Sequence, residues 1–423
     1  MIIAGQLIDG TGADPVSDAF VEFEGPTIVA VGPLSQLTAT RREGARVLDH
    51  HDSTVMPGLI DCHVHLVYPR YYRGQDLRIK HSIEYTALKA ARNAAILLQS
   101  GYTTVRDMGT QGHCAIAVRD AVETGLIQGA KVVASGSIVT AIGGLGDPYP
   151  SWVSNRNSSA VTISGRDDIQ RVVREQLKSG VDFIKLGASG GEASAFSNSW
   201  LPALTFEEME VACSTAHRHR RRVAAHAQAT ESIKEALRAG VDTIEHGTFL
   251  DEEGLELFKS HGAFLVPTLC TIYSFLELGY QTGAPADVVK ELEDNERPWI
   301  ESLRMCREAG VRIAAGGDVG NRYPQGSNAR ELEHLVTKGG LRPLEALTAA
   351  TGTAADAIGL QGQVGRLEGA YLADVLVIDG DPATDISVLQ DRRRFRALFQ
   401  NGIEVRIDPQ LAETFPRTLQ TTL

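Results

Sequence analysis

The sequence predicts an α/β protein in which a (β/α)8 TIM barrel carries a small β-sandwich domain built from both chain termini. Two observations predict the barrel: apolar, β-branched runs alternate with helix-compatible segments, and polar residues stand where these runs end. A third observation is that both ends of the chain read as strands and turns. We therefore expect a composite β-sandwich domain at residues 1–57 and 360–423, and a barrel domain at residues 58–359.

The two terminal segments resemble each other in pattern. The opening stretch MIIAGQLIDGTGADPVSDAFVEFEGPTIVAVGP alternates β-formers with Gly, Asp and Pro turn signals. The later stretches VGRLEGAYLADVLVIDGDP and FRALFQNGIEVR do the same. Because chain ends commonly lie close together on a domain surface, we expect these segments to pair into one domain.

Eight apolar runs supply the eight strands that a barrel needs. Several follow a helix-like stretch with Gly or Arg just before the strand, as in QLKSG-VDFIK and ALRAG-VDTIEH. The predicted strands are Leu59–Leu66, Thr103–Asp107, Lys131–Val139, Asp182–Leu186, Arg222–His226, Thr243–His246, Ala263–Pro267 and Arg312–Asp318. The carboxyl ends of such strands form the face where barrel active sites are built, so residues distant in sequence meet there.

Composition excludes several classes of protein. The 423 residues are 43% hydrophobic and 22% charged, which suits a large core. A net charge of -12 argues against a nucleic-acid-binding surface. We see no apolar run of bilayer length and no secretory pattern at the start, so we expect no membrane partner and a cytoplasmic location. Five cysteines without metal-type spacing are interpreted as reduced thiols.

The segment PGLIDCHVHL places His63 and His65 two residues apart after a short apolar run. Alternate side chains of a strand point the same way, so both imidazoles leave one face and can converge on a cation. Cys62 then points to the opposite face and is interpreted as a packing residue. Alone, such a pair is more often a packing or solvent-facing pair than a metal site.

Further candidates end other apolar runs. Each has an ordinary explanation by itself: a satisfied buried histidine, a lysine that snorkels to the barrel mouth, or an aspartate that caps a helix. Their joint occurrence at five strand ends favours a metal site over these explanations. They are Lys185 in VDFIKL, His226 in RRVAAH, His246 in VDTIEH and Asp318 in VRIAAGGD.

The chain resembles the amidohydrolase superfamily along nearly its whole length. The resemblance is carried by MPGLIDCHVH, GYTTVRDMG, the lysine that ends the fourth strand, AAHA, IEHG, GGD and the late ADVLVIDGDP. It implies a binuclear centre with six ligand residues. In it, His63 and His65 bind the first metal, carboxylated Lys185 bridges both, His226 and His246 bind the second, and Asp318 completes the first.

The resemblance also implies a reaction. Two divalent ions lower the pKa of a bridging water from about 15.7 to roughly 7, and the resulting metal-bridging hydroxide attacks a carbonyl carbon. Asp318 acts as the general base and then as the acid. Neutral imidazoles and carboxylate-type oxygens suit zinc, with Mn, Co and Fe left open. A desolvated Lys185 favours the neutral amine that adds carbon dioxide.

Within the superfamily, the sequence most resembles prolidase-type dipeptidases and amidases that split N-acyl aromatic amino acids such as ochratoxin A. We therefore expect a small-molecule amide as the substrate: an N-acyl amino acid, including N-acyl-phenylalanine, or a dipeptide. Relatives typically carry a GGHG element after the third strand, and Leu145 occupies its histidine position here. This departure suggests a more apolar substrate or a different anchor for its carboxylate.

Aromatic and arginine residues in the loops after the barrel strands are candidate substrate contacts. They suit an aryl group together with a carboxylate, although a lid packed on its own barrel explains them equally well. The segment Ser189–Trp200 has the composition of a mobile loop, and residues 321–331 are expected to shape the pocket. The candidate contacts are Tyr68, Arg70, Tyr71, Tyr72, Arg73, Leu145, Tyr149, Trp152, Arg156, Arg322 and Tyr323.

Three alternatives remain open. The same site could hydrolyse a phenylurea, a carbamate or a lactone. A catalytically silent scaffold is disfavoured because every ligand position is filled. A metal-free barrel enzyme that uses Lys185 as a Schiff-base amine would leave the other ligand-type residues unexplained. By analogy, the resemblance implies a homo-oligomer.

Overall fold

A sheet assembled from both ends of the chain lies beside a barrel of parallel strands. The computed structural model describes residues 1–38, 41, 43–68, 81–153, 158–192, 196–408 and 411. The terminal sheet has the strand order β17-β16-β15-β4-β1-β2-β3. Its strands are β1 Ile2–Leu7, β2 Val16–Glu24, β3 Thr27–Pro33, β4 Leu48–Pro57, β15 Val375–Ile378, β16 Phe395–Gln400 and β17 Ile403–Glu404.

The barrel strands run parallel in two hydrogen-bonded groups, β5-β6-β7 and β14-β13-β12-β11-β10-β8-β9. Backbone bonds join these groups, because Asp182 N donates to Ala134 O at 2.8 Å and Cys62 N donates to Ala315 O at 2.9 Å. The strands are β5 Leu59–Val64, β6 Tyr102–Asp107, β7 Lys131–Ala134, β8 Ile138–Ala141, β9 Ala160–Ile163, β10 Phe183–Gly187, β11 Arg222–Ala227, β12 Thr243–His246, β13 Phe264–Val266 and β14 Arg312–Ile313. The predicted fold class is confirmed.

Helices separate the barrel strands and cover their outer surface. None of the described helices is both long and apolar enough to cross a membrane. The described helices are α1 Ile83–Gln99, α2 Cys114–Glu123, α3 Arg166–Lys178, α4 Phe206–Arg218, α5 Thr230–Ala239, α6 Glu252–His261, α7 Leu269–Leu278, α8 Ala286–Glu308, α9 Arg330–Thr337, α10 Pro343–Ala349 and α11 Gly352–Ala357. Short 3₁₀ helices lie at Leu34–Gln36, Tyr280–Thr282, Ile386–Gln390 and Arg392–Arg394.

Two predicted strands differ from the observed ones by more than two residues. The expected strand Lys131–Val139 is broken, because Gly136 has φ +73° and separates β7 from β8. The expected strand Arg312–Asp318 stops at Ile313, so Asp318 lies in the connection that follows. The chain also forms β9, which the sequence pattern did not predict.

The strand that carries the first histidines continues directly out of the terminal sheet. Only Gly58 separates β4 from β5. Its amide donates to Asp374 O at 2.9 Å, and the Leu59 amide donates to Gly101 O at 2.9 Å. A Cβ at Gly58 would come within 2.3 Å of Thr103 Oγ1, so this junction requires glycine.

Candidate metal centre

The six predicted ligand residues come together at the carboxyl-terminal side of the barrel. The five histidine and lysine side chains are buried, and the Asp318 side chain is 14% exposed. His63 lies on β5 and His65 follows it, Lys185 is on β10, and Asp318 lies in the connection after β14. The remaining two histidines are His226 on β11 and His246 on β12.

Distances within this cluster are short. Asp318 Oδ1 lies 3.6 Å from His65 Nε2 and 3.9 Å from His63 Nε2. The ring centroids of His226 and His246 are 4.4 Å apart, and those of His63 and His246 are 5.2 Å apart. Ligand atoms of His63, His246 and Asp318 all lie within 4.8 Å of one another. This group therefore spans both halves of the binuclear arrangement that the resemblance implied.

Hydrogen bonds determine which ring nitrogen of His63 and of His65 carries the proton and which can bind a metal. His63 Nδ1 lies 2.9 Å from Glu245 Oε2, and His65 Nδ1 lies 3.0 Å from Gly109 O. A carbonyl or an ionised carboxylate only accepts, so both Nδ1 atoms carry the proton. Nε2 of each ring is left as the lone-pair nitrogen, which is the form that binds a metal.

The other two histidines are fixed by the same logic. Thr268 Oγ1 donates to Pro267 O at 2.8 Å, so it accepts from His246 Nδ1 at 2.6 Å. His226 Nε2 lies 2.7 Å from Gly190 O and donates to it. His226 therefore offers Nδ1, whereas His246 offers Nε2. Burial lowers the pKa of His63, His226 and His246, to about 3 for His226, because it disfavours the charged imidazolium.

Lys185 and Asp318 each present an unpartnered polar atom to this cluster. Among the described residues, Lys185 Nζ has no hydrogen-bond partner, and neither does Asp318 Oδ1. Thr271 holds the other carboxylate oxygen, Oδ2, at 3.0 Å. Burial lowers the pKa of Lys185 to about 8, since it disfavours the charged ammonium. The donor set thus fits divalent cations and a lysine amine that can react as the neutral base.

Three residues in or beside the cluster have a strained backbone conformation. His246, Thr268 and Asp318 have φ values of +71°, +51° and +47°. Non-glycine residues in this left-handed region cost on the order of 1–3 kcal/mol each. At His246 the turn brings the imidazole toward the ring of His63, and at Thr268 it sets the acceptor for His246 Nδ1.

A buried ion pair below the cluster was missed by sequence reasoning. Glu245 is fully buried, and its Oε1 accepts from Arg106 Nη2 at 2.8 Å while its Oε2 accepts from His63. Arg106 also donates to Cys62 O at 2.7 Å and to Thr243 Oγ1 at 3.1 Å. Opposite charges within the apolar strands TTVRD and VDTIEH were the available signal, since buried charges are normally paired.

Replacement of this carboxylate is expected to damage both the fold and the centre. In Glu245→Gln, the amide has one acceptor oxygen for three donors, which are Arg106, His63 and Thr243, and its NH2 group faces at least one of them. We expect a stability loss of about 3–5 kcal/mol in urea denaturation. Metal affinity should fall about 10- to 100-fold in a chelator competition titration.

An exposed ion pair provides the matched control for this variant. Glu256 pairs with Lys259 at 2.8 Å on the surface of α6. Glu256→Gln should change stability by about 1 kcal/mol or less and leave metal affinity unchanged. Equal small effects in both variants would contradict the role assigned to Glu245.

Residues 321–331, which were expected to shape the pocket, brace the strand that carries the first histidines. Asn328 Nδ2 donates to Asp61 Oδ2 at 2.6 Å, and Gln325 Nε2 donates to His65 O at 3.1 Å. Asp61 Oδ1 accepts from His63 N and from Gly317 N. Asp61 was not predicted as a site residue, although it lies within the DCHVH motif.

The predicted substrate contacts have different surroundings. Tyr68 stacks on His65 with centroids 4.2 Å apart, and Tyr149 is 5% exposed. Arg322 lies 4.9 Å over the Phe275 ring. Trp152 is 83% exposed, and Tyr323 is buried. The predicted contacts Arg70, Tyr71, Tyr72, Arg73 and Arg156 lie outside the described residues.

Leu145 borders the metal-ligand cluster. A Cβ added at Gly187 or at Gly191 would lie 3.1 Å from its side chain, and the one at Gly191 would also lie 3.4 Å from the His226 ring. An apolar side chain therefore lies beside the strand that carries Lys185 and the loop that orients His226. That loop begins the segment predicted to be mobile, and its Gly190 carbonyl holds His226 in place.

Several known proteins are similar to this chain over most of its length. Residues 54–405 match the model of the Amidohydrolase family. Ochratoxinase of Aspergillus niger is 31% identical over 426 residues, covering 95% of this chain and 85% of that protein. A crystal structure of a Xaa-Pro dipeptidase with bound methionine has a TM-score of 0.87 at 30% identity and covers 96% of this chain and 99% of that one. The crystal structure of A. niger ochratoxinase has a TM-score of 0.86 at 29% identity and covers 95% and 94%.

Proposed function

We propose that this chain, which belongs to the amidohydrolase family of hydrolases acting on carbon–nitrogen bonds, cleaves a peptide-like amide. The substrate would be a dipeptide or an N-acyl amino acid, which are the kinds of compound that the names of its relatives point to. The observation that carries the proposal is the unpartnered Lys185 amine among four oriented imidazoles.

In this proposal, His63, His65 and Asp318 would hold one divalent ion, and His226 and His246 would hold the other. Lys185, carboxylated by carbon dioxide, would be a ligand shared by both. Zinc is the ion we expect from the ligand types. When bound, these ions would lower the pKa of water and polarise the substrate carbonyl.

The chain's own residues handle the proton. Asp318 Oδ1 has no hydrogen-bond partner among the described residues, so it can accept a proton from the attacking water. Thr271 holds Oδ2 and thereby fixes the orientation of the carboxylate. Asp318 then delivers the proton to the departing nitrogen, which would otherwise leave as a poor, anionic group.

The first test is metal content together with activity. Protein purified without chelator should contain about two divalent ions per chain by plasma emission, as a binuclear site requires. Activity should appear on Xaa-Pro dipeptides or N-acyl-aromatic amino acids and exceed that on phenylureas, aryl carbamates and lactones. Chelation should abolish it, and zinc should restore it.

Two outcomes would contradict the proposal. Protein that binds no metal, gains no activity with Zn or Mn and is trapped by borohydride with a carbonyl substrate would point to a Schiff-base lysine. Metal-loaded protein that prefers phenylureas, carbamates or lactones over every amide would move the function to that alternative.

A further inference from the structure

Two carboxylates outside the ligand set share a hydrogen-bond network. Glu192 lies in the loop after β10 and Glu291 lies on α8. Glu192 Oε1 accepts from Gln228 Nε2 at 2.5 Å and from Asn295 Nδ2 at 3.3 Å. Asn295 also donates to Ser199 Oγ at 3.1 Å, and Ser199 donates to Glu291 Oε1 at 2.8 Å. The network therefore holds both carboxylates in fixed positions.

Within the described part of the chain, neither Glu192 nor Glu291 forms an ion pair with a Lys, Arg or His side chain. Burial raises the pKa of Glu192, and the charge of Glu291 raises it further. Two like charges that are held in one network are unfavourable unless an opposite charge accompanies them.

The Gln228 side chain indicates independently that this network lacks a hydrogen-bond donor. Its side chain is fully buried, and its Nε2 donates both to Glu192 and to Thr248. Its Oε1, however, has no hydrogen-bond partner among the described residues. Buried acceptors of this kind are rare because each one forfeits its bonds to water. An N–H group arriving beside Glu192 would satisfy it.

The network lies next to the reacting groups. Gln228 is two residues beyond His226 in the chain. The residue before Glu192 is Gly191, where an added Cβ would lie 3.4 Å from the His226 ring. A group bound by Glu192 is therefore within reach of an amide positioned at the cluster.

We propose that Glu192, supported by Glu291 and by Oε1 of Gln228, binds a cationic amino group of the substrate. The preferred amides then carry a free ammonium, as an unprotected dipeptide does, rather than a neutral acyl group. An ammonium has three N–H donors and no acceptor, which matches a carboxylate beside an unpartnered amide oxygen. This specificity rests on the proposed amide hydrolysis and defines its substrate class.

The test compares substrates that differ only in the amino group. With a prolyl leaving group, the pair is phenylalanyl-proline and 3-phenylpropionyl-proline. We expect wild-type kcat/KM to favour the amino compound about 10- to 100-fold, the range for a charge-assisted hydrogen bond. Glu192→Gln should abolish this preference, mainly by raising KM for the amino compound.

Glu293→Gln is the matched control, because Glu293 lies on the exposed side of the same helix as Glu291. It should keep the full preference for the amino compound. Equal kcat/KM values of the wild type for both compounds, or an equal loss for both in Glu192→Gln, would overturn the inference.

Ligand binding separates this inference from the proposed function. By calorimetry, wild-type protein should bind phenylalaninamide at least about tenfold more tightly than 3-phenylpropionamide, and Glu192→Gln should bind them alike. Absence of this difference overturns the inference even if amides are hydrolysed. If metal-loaded protein hydrolyses no amide while the binding difference is present, the proposed reaction fails and the ammonium site stands.

Discussion

In Lys185→Ala, metal content falls below about one ion per chain and amide hydrolysis drops more than about 100-fold, because a direct ligand should matter more than a residue that only orients one. The cause is loss of the carbamate oxygens proposed to bridge the ions. Metal analysis and kcat/KM on the best amide from the panel measure both effects. Lys178→Ala, on the exposed end of α3, should change neither.

The same variant should not lose stability in its metal-free form. Lys185 Nζ has no hydrogen-bond partner in the described structure, so truncation removes a costly buried amine and no bond. Reconstitution with ¹³C-bicarbonate should give a carbamate signal in wild-type protein and none in the variant. Full metal content and activity in Lys185→Ala would refute the bridging role.

Asp318→Asn is expected to lower kcat about 10²- to 10⁴-fold, the usual contribution of a general acid–base group. The side chain keeps an oxygen for Thr271, so the fold should remain intact. The loss should shrink for anilides with electron-withdrawing substituents, since those leaving groups need less protonation. Steady-state kinetics on a series of such anilides measures this dependence.

Thr271→Val is the control for proton handling. It removes only the hydrogen bond to Oδ2 and keeps the Asp318 carboxylate. We expect about a tenfold or smaller loss, corresponding to one hydrogen bond. If Asp318→Asn lost the same factor on every anilide, Asp318 would act as a ligand alone.

Most of the candidate cluster was predictable because the four histidines and Lys185 lie at or beside the ends of recognisable strands, whereas Asp318 lies in a connection. His63 and His65 share one face by strand alternation, and the runs before Lys185 and His226 are unmistakably apolar. Parallel strands then bring their carboxyl ends together whatever the lengths of the intervening helices. The division of these residues between two metals came from the resemblance to the amidohydrolase superfamily.

Glu245 could not be placed by the same rule. Alternation puts Thr243 and Glu245 on one face and His246 on the other, yet Glu245 and His246 both contact His63. The left-handed φ of His246 breaks the alternation at the strand end. A single strand pattern does not contain that torsion, because it depends on contacts made elsewhere in the barrel.

Hydrogen bonds to main-chain carbonyls were also beyond the sequence. His65 and His226 are oriented by the carbonyls of Gly109 and Gly190, and any residue type supplies a carbonyl. The acidic network around Glu192 was missed for a related reason. Its partners Gln228 and Asn295 lie 36 and 103 residues away and carry no motif of their own.

The uninterrupted passage from β4 into β5 has a consequence for how the protein is made. β4 pairs on one side with β1, near the start of the chain, and on the other with β15, which leaves the ribosome only after the whole barrel has been synthesised. Until β15 has been made, one edge of β4 has no strand to pair with, and β4 continues directly into β5, which holds His63. Such late, long-range pairing slows folding and exposes edges that invite aggregation. Synthesis of the last strands therefore limits when the catalytic face can become rigid.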